Sequence, residues 1–365
     1  MSSTIKNINI SRKRVLVAPL DWGLGHTTRC IPIIQELINQ DFTVFIAAEG
    51  NSAYLLCKEF PNITIISLTG YKISYSKTKF FFKAGLIGQI PKILKAIKKE
   101  HTWLQQIIKE YEIDIVISDN RYGLYNTKVK SIFITHQLAI ATGYVFTNWL
   151  VKKLNYGLIN KFDECWVPDE NVPLDFAGKL SHPKELPNIP ITYIGILTRF
   201  KSSKIEKKID LLVLISGPEP QRTAMENMML LQMKKHFFKM ILVRGLPGAL
   251  NKIINTNKAL EIFDHLPAFE LSKLIQSSTM VIARSGYSTI MDLIALQQKA
   301  ILIPTPGQTE QEYLAKYLAA KKYFVAAKQK RFNLTKELKD FESVELKLLP
   351  ASENKKLKEA IICLK

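Results

Sequence analysis

From Arg14 onward the chain alternates short, continuously apolar runs with longer stretches of helical periodicity. Residues 14–20 predict a strand, then a Gly-rich loop, then a helix over 27–39 with Ile31, Ile34, Leu37 and Ile38 on one face. Residues 42–47 read as the next strand, 52–59 as a helix and 63–68 as a third strand. A long helical region runs to Tyr111, followed by strands at 113–118 and 131–135, helices to Asn160, and strands at 164–167 and 191–196. Strands that are apolar along their whole length are those buried on both faces, which predicts a parallel sheet between two helical layers.

A charged, apolar-poor stretch at 198–208 (Arg199, Lys201, Lys204, Lys207, Lys208) interrupts this rhythm. The alternation then restarts, with strands at 211–215, 240–243, 260–263, 280–283 and 300–303 and a Lys-rich helical tail from Leu334. The fold class is therefore α/β, with two doubly wound, Rossmann-like domains facing across a cleft. The boundaries are 1–197 for the first domain, 198–208 for the linker, 209–340 for the second domain and 341–365 for the tail. A length of 365 residues fits two domains, since roughly 150 residues per domain is usual.

Composition changes the picture little: 47% hydrophobic and 23% charged residues exclude a disordered chain, a collagen and a coiled-coil rod. The apolar run at 15–20 stops at Asp21, too short for a signal-peptide core. The long uncharged stretch 131–151 carries Thr135, His136, Gln137, Thr142 and Asn148 and reads as strand, loop and helix, so no membrane span is expected. The cysteines Cys30, Cys57, Cys165 and Cys363 are scattered, without a C-x-x-C pair or a His at zinc spacing. They read as small buried hydrophobes of a protein in the reducing cytoplasm.

Charge changes the picture more. With 51 Lys+Arg against 32 Asp+Glu, the net charge of +19 favours anionic partners: nucleic acid, an acidic membrane face or phosphorylated substrates. A Lys-rich surface without any such partner is the other reading. Arginine forks, which grip phosphates and read bases, are scarce, and there is no helix-turn-helix signature, RNP aromatic pattern or zinc finger. A nucleic-acid-binding protein is thus the distant alternative.

In an open parallel sheet, ligands bind beyond the carboxyl ends of the strands, where loops meet helix N-termini. The first such loop holds Gly23, Gly25, His26 and Arg29. Its glycines let a ligand approach the backbone, and His26 is either a base for an acceptor hydroxyl or a helix-capping residue. The G-x-G-x-x-G pattern of dinucleotide sites is not completed. Asp119, after a strand, is either a turn residue or the carboxylate that holds an imidazole. His136 and Gln137 follow the next strand and face the same cleft. In the second half a strand ends in Arg284-Ser285-Gly286, and a helix opens with Ser288 and Thr289, a cradle for a pyrophosphate. Asp292 stands two turns down, within reach of ribose hydroxyls. The next strand leads into Ile303-Pro304-Thr305-Pro306-Gly307-Gln308, again strand, turn and helix.

The succession strand, Arg-Ser-Gly-x-x-Thr, x-x-Asp, second strand, Ile-Pro-x-Pro and Gln-x-x-x-Ala resembles the carboxy-terminal signature of family 28 glycosyltransferases. The loop Gly-x-Gly-His-x-x-Arg resembles that family's amino-terminal acceptor loop. The resemblance implies a GT-B fold and an inverting transfer of a hexose or N-acetylhexosamine from a nucleotide-sugar, UDP-linked, to a lipid-linked or cell-envelope glycan acceptor. It implies that Ser285, Gly286 and Thr289 hold the donor diphosphate, that Asp292 binds the ribose, that Leu266 marks the uracil-reading backbone, and that Gln311 touches the donor sugar, with Gln308 beside it. Ser216, Gly217 and Arg222 stand where a more glycine-rich phosphate loop is expected. Gly23, Gly25, Arg29, His136 and Gln137 fall on the acceptor side. Three departures mark a divergent member: Asp292 replaces a Glu, Glu310 replaces the His that precedes Gln311, and the Glu between His136 and Gln137 is missing.

The mechanism so implied is direct displacement: His26, oriented by Asp119, deprotonates the acceptor, while the second half, with Arg284 or Arg222, stabilises the leaving diphosphate. No Asp-x-Asp motif lies at a strand end, so neither metal nor cofactor is expected. The first loop also resembles that of nucleotide-sugar hydrolases, which keeps hydrolysis as the close alternative; a GT-B scaffold without activity is a further one. Finally, the region 72–109 carries nine Lys and one acid, Glu100, interleaved with Phe80-Phe81-Phe82 and Ile90, Ile93, Leu94 and Ile97. It is either an anionic-membrane contact at the inner face of the cytoplasmic membrane or a domain helix with a solvated Lys face.

Overall fold

The computed structural model describes residues 12–71, 90–140, 145–246, 254–257, 259–349 and 354–365. The first sheet comprises Arg14–Pro19 (β1), Thr43–Ala47 (β2), Thr64–Ile66 (β3), Ile115–Asp119 (β4), Lys130–Ile134 (β5), Glu164–Val167 (β6) and Ile191–Tyr193 (β7). Their order is β3-β2-β1-β4-β5-β6-β7, every pair parallel. Val15, Val17, Ile115 and Ile117 bury against Ile33, Ile34 and Leu37 of the Leu24–Asn39 helix. Their neighbours Leu16, Ala18 and Val116 bury against Leu104 and Ile107 of the Ile90–Tyr111 helix. Both faces of each strand are thus covered, which is why the strands read as unbroken apolar runs.

The second sheet comprises Ile209–Leu214 (β8), Met240–Val243 (β9), Ile254–Asn257 (β10), Leu260–Phe263 (β11), Ser278–Ala283 (β12), Ala300–Leu302 (β13) and Val325–Ala326 (β14), in the order β10-β11-β9-β8-β12-β13-β14. All its pairs are parallel except β10 with β11. β10 and β14 escape prediction because they are short edge strands; β10, Ile-Asn-Thr-Asn, has no apolar run to betray it.

Strand order reverses between β1 and β4 in one sheet and between β8 and β12 in the other. Pro19 pairs with Asp119 at the first switch point, and Leu214 with Ala283 at the second. Neighbouring loops diverge at such points and leave a crevice. The loops bearing Gly23, Asn120, Ser216 and Ser285 therefore open at the two crevices.

Two segments lie with the half opposite to the one their place in the chain suggests. Phe176, Ala177 and Leu180, from the loop before β7, are buried in the core of the second half. Leu357, Ala360, Ile361 and Leu364, around the closing helix Lys355–Ile362, bury among Val15, Ile34 and Val44 of the first half. The Lys13 ammonium and the Gln40 amide donate to the Leu364 and Lys358 carbonyls to hold that helix there. The closing helix is thus a structural part of the first half, whereas Leu349, earlier in the same tail, is buried in the core of the second. Cys30 and Cys165 are buried as expected, but Cys57 and Cys363 are exposed, a correction to the reading of all the cysteines as core residues.

Candidate active site

The helix Leu24–Asn39 begins three residues before its predicted start, because Gly23, with φ 101, makes the turn that admits it. His26 therefore stands in the first helical turn, and Arg29 lies almost one turn further along the same face. Asp119 closes β4 instead of following it. With helix start and strand end fixed at the switch point, His26 Nδ1 lies 3.1 Å from Asp119 Oδ2. Arg29 grips the same carboxylate with both arms: Nε donates to Oδ2 at 2.8 Å and Nη2 donates to Oδ1. Asp119 is buried; burial alone would raise its pKa, but Arg29 and His26 outweigh it and hold the carboxyl at about 2. The buried Cys30 thiol beside it is pushed well above its usual range by burial first and Asp119 second, so it stays protonated.

At His26 Nδ1 two neighbours ask for opposite roles. Asp119 accepts a proton from it, whereas Arg29 Nη2, 2.6 Å away, donates one to it. With Nδ1–H facing Asp119, Nε2 keeps its lone pair and can act as a base; with Nδ1 accepting from Arg29, Nε2 carries the proton and cannot. The side chain is 18% exposed, against 0% for Asp119, so the ring is accessible while its anchor is not.

His136, after β5, has no such ambiguity. Arg29 Nη1 donates to its Nδ1 at 3.0 Å, so Nε2 bears the hydrogen and donates it to Glu310 Oε1 at 2.9 Å. Burial lowers the His136 pKa, against the pull of Glu310, so the ring stays neutral. Its face stacks on Tyr287, centroids 3.9 Å apart and planes 15° from parallel. Gln137 adds its amide at 3.5 Å from His136 Nε2 and bonds Glu310 as well.

Glu310 and Tyr287 belong to the second half, so the cleft is closed over these residues. A third cross-contact completes it: Ser288 Oγ donates to the Gly25 carbonyl at 2.9 Å. The start of the Tyr287–Ala295 helix thus abuts the start of the helix that bears His26. No side chain caps the former, and a Cβ built on Gly286 would meet nothing within 4 Å, so free amides face open space there. Ser285 Oγ donates to the Gln311 carbonyl at 2.8 Å, and the Gln311 side-chain oxygen accepts from Thr305 N at 2.8 Å, tying the two donor-side loops together. Thr289 is half-buried on the helix's first turn, and Gln308 occupies the N-cap of the Thr309–Ala320 helix.

The remaining predicted residues are placed differently. Arg284 is buried and donates to the carbonyls of Ile303, Pro304 and Gln221 and to Gln329 Oε1, so its Nη atoms fasten loops. Arg222 pairs with Glu219 and Glu226, which neutralise it. Both arginines expected to meet the leaving diphosphate are thus engaged by partners within the second half. Asp292 accepts from Thr198 Oγ1 of the linker at 2.7 Å; burial raises its pKa to about 6, although Arg199 and Thr198 work against this. Ser216 and the left-handed Gly217, φ 105, lie at the mouth of the second crevice with nothing against Gly217, while Leu266 is buried.

Residues 220–362 match the family model described as the glycosyltransferase family 28 C-terminal domain. The carboxy-terminal half is thus similar to a family 28 glycosyltransferase domain. Over its length the chain is 26% identical to an uncharacterized glycosyltransferase of Methanosarcina acetivorans, with 82% of this chain and 81% of the relative covered. It is 24% identical to the UDP-N-acetylglucosamine–N-acetylmuramyl-(pentapeptide) pyrophosphoryl-undecaprenol N-acetylglucosamine transferase of Listeria welshimeri, covering 78% of this chain and 77% of that one. Among solved structures it is similar to the glycotransferase of kitacinnamycin, with TM-score 0.62 and 13% identity over 97% of this chain and 94% of the other. It is also similar to MurG of Acinetobacter baumannii, with TM-score 0.54 and 15% identity over 96% and 95%. The two-domain fold is GT-B, and the domain match, the relatives and the fold together make the protein a glycosyltransferase.

Two residues of this site escaped sequence reasoning. Tyr287, between Gly286 and Ser288, was assigned no role. Glu310 registered only as a departure from the family pattern, yet the signal was there: an acid is missing beside His136 and an acid has appeared at 310, and the cleft brings the two positions together.

Proposed function

We propose that this glycosyltransferase moves a hexose or N-acetylhexosamine from a UDP-linked donor to a hydroxyl of a lipid-linked or cell-envelope glycan, inverting the anomeric centre. The observation that carries this reading is the Ser288–Gly25 contact, which puts the free helix start of the donor half against the helix bearing His26. The acceptor hydroxyl donates to His26 Nε2, which selects the form with Nδ1–H on Asp119. As the proton passes to Nε2, the acceptor oxygen bonds to the anomeric carbon from the face opposite the diphosphate. The bond from that carbon to the diphosphate oxygen breaks, and its electron pair leaves with the nucleotide. The amides at Gly286–Thr289 receive the developing charge at the positive end of the helix. Asp292 and the Leu266 loop are the candidate ribose and base contacts.

A lipid-linked acceptor is supported by the basic surface. On the Ile90–Tyr111 helix Leu94, Lys95, Lys98 and Lys99 are exposed, whereas Ile97, Glu100 and Leu104 face inward. The part of the basic segment at 72–89 lies outside the described residues. No described helix is long and apolar enough to cross a membrane. Peripheral binding to an anionic cytoplasmic face is the proposed arrangement, and co-sedimentation with anionic but not zwitterionic liposomes at moderate salt tests it.

The donor is tested by thermal shift with UDP-GlcNAc, UDP-Glc, UDP-Gal, GDP-Man and CMP-sugars. Selective stabilisation by a UDP-sugar is expected; stabilisation by none removes the donor assignment. Rapid UDP release at full rate without any acceptor converts the reading to a hydrolase.

A further inference from the structure

We propose that Glu310 is a positioning residue that reaches across the cleft and, through His136 and Arg29, sets which nitrogen of His26 carries the proton. The inference rests on the reading of His26 as the base. The contacts form one unbroken chain. Glu310 Oε1 accepts from His136 Nε2 at 2.9 Å, and His136 Nδ1 accepts from Arg29 Nη1 at 3.0 Å. Arg29 then holds Asp119 through Nε and Nη2; Asp119 faces His26 Nδ1 at 3.1 Å, and Arg29 Nη2 stands 2.6 Å from the same nitrogen. Every member but Glu310 comes from the first half. Glu310 sits in the first turn of the Thr309–Ala320 helix, beside the donor-side Gln308 and Gln311.

The chemistry of the chain leaves little freedom. A carboxylate on Nε2 requires a hydrogen there, and a neutral imidazole then has only a lone pair to offer at Nδ1. That lone pair occupies Arg29 Nη1 and fixes the plane of the guanidinium, so that Nε and Nη2 point at Asp119. The Tyr287 stack keeps the His136 ring from swinging out of this plane. Without Glu310, His136 Nε2 loses its acceptor and only the Arg29 donor at Nδ1 still orients the ring, so Arg29 Nη1 loses its fixed partner and Nη2 its defined place between Asp119 Oδ1 and His26 Nδ1. Opening the cleft withdraws Glu310 in the same way as deleting it. Closure of the donor half therefore fixes the Arg29 Nη2 donor beside His26 Nδ1, a contact that keeps the hydrogen on Nε2 until an acceptor hydroxyl claims that nitrogen and Nδ1–H turns to Asp119.

Two-bond 1H–15N spectra of protein labelled at histidine report the tautomer of each ring directly and need no substrate. In the unmodified protein His136 is expected as the Nε2–H form. Glu310→Ala should move the ring signals of both His136 and His26, although residue 310 does not touch His26. Glu310→Gln, whose amide oxygen still accepts from Nε2–H, should restore the original pattern. His136 found as the Nδ1–H form in the unmodified protein, or His26 signals identical in Glu310→Ala and the parent, overturns the proposal. The first of these is read without any variant, so the proposal stays open to refutation even where Glu310→Ala does not fold. Absence of thermal stabilisation by every nucleotide-sugar would instead remove the functional reading, and the histidine spectra would stand apart from it.

Discussion

His26 and Asp119 stand 93 residues apart in the chain, yet their Nδ1 and Oδ2 atoms lie 3.1 Å apart at the point where β1 and β4 run side by side. The pair joins an accessible imidazole to a buried carboxylate that two neighbours keep ionised. That is the arrangement a general base needs, and Asp119 is held as much by Arg29 as by the histidine.

Replacing His26 by Ala should lower turnover by roughly a hundredfold to ten-thousandfold, the usual worth of a positioned base. Nucleotide-sugar binding, followed by thermal shift, should be nearly unchanged. A His26→Ala enzyme with the parent's turnover would leave the assignment of the base untenable.

Asp119 should matter for stability as well as for rate. Asp119→Ala leaves the Arg29 guanidinium buried without its carboxylate, a change that costs on the order of 3 kcal/mol or more in comparable sites. The pH dependence has a definite sign. The folded-state pKa of about 2 lies below the usual 3.8, so the contribution is complete above about pH 4 and is lost as the pH falls towards 2. The linkage amounts to roughly 2 kcal/mol. Urea denaturation of parent and variant across this range should show their difference shrinking on acidification.

Asp292 should behave in the opposite sense. Its folded-state pKa, raised to about 6 mainly by burial, makes its contribution full below about pH 4 and progressively lost as the pH rises to 6. Asp292→Asn keeps the shape without the buried charge, so the variant should gain in Tm over the parent as the pH climbs from 4 to 6 and then hold that gain. A loss of affinity for the UDP-sugar in the same variant would mark Asp292 as a ribose contact; an unchanged affinity would confine it to the linker bond with Thr198.

Chelation should leave transfer unaffected. In the proposed mechanism the helix start at Gly286–Thr289 receives the leaving diphosphate, and no step calls for a divalent ion. Activity measured after EDTA treatment, with and without added Mg2+ or Mn2+, checks this; a requirement for either ion would place the diphosphate in different hands.

The closing helix should stabilise the half it does not follow in sequence. Ile361 and Leu357 are fully buried among β1, β2 and the Leu24–Asn39 helix. Ile361→Ala should cost about 2–5 kcal/mol by loss of transfer energy and creation of a cavity. Hydrogen exchange should then rise in β1 and β2 and stay unchanged in the second sheet.

How far the site was legible depended on how local its signals were. β12, the Arg284-Ser285-Gly286 loop and the helix that follows are contiguous, so their chemistry was visible as a run of letters. The roles of Arg222 and Arg284 were not legible, because an arginine's partners are set by distant carboxylates and carbonyls. Glu219 and Glu226 neutralise one, and the carbonyls beyond β13 engage the other. The chain's return to the first half was hidden for a similar reason: the apolar face of Lys355–Ile362 advertises that it must be buried, not against what.

By itself the order of residues determined the two layered α/β halves, the crevices at the ends of their strands and the kind of chemistry waiting there. These follow from periodicity, from continuous apolar runs and from glycines at turns, all of which act over a few residues. Only the tertiary structure decided that His26 faces Asp119, that Glu310 answers His136 across the cleft and that the closing helix joins the first half. Hydrogen bonds and close packing depend on positions to within a fraction of an ångström between atoms tens to hundreds of residues apart, and such distances exist only once the whole chain has folded.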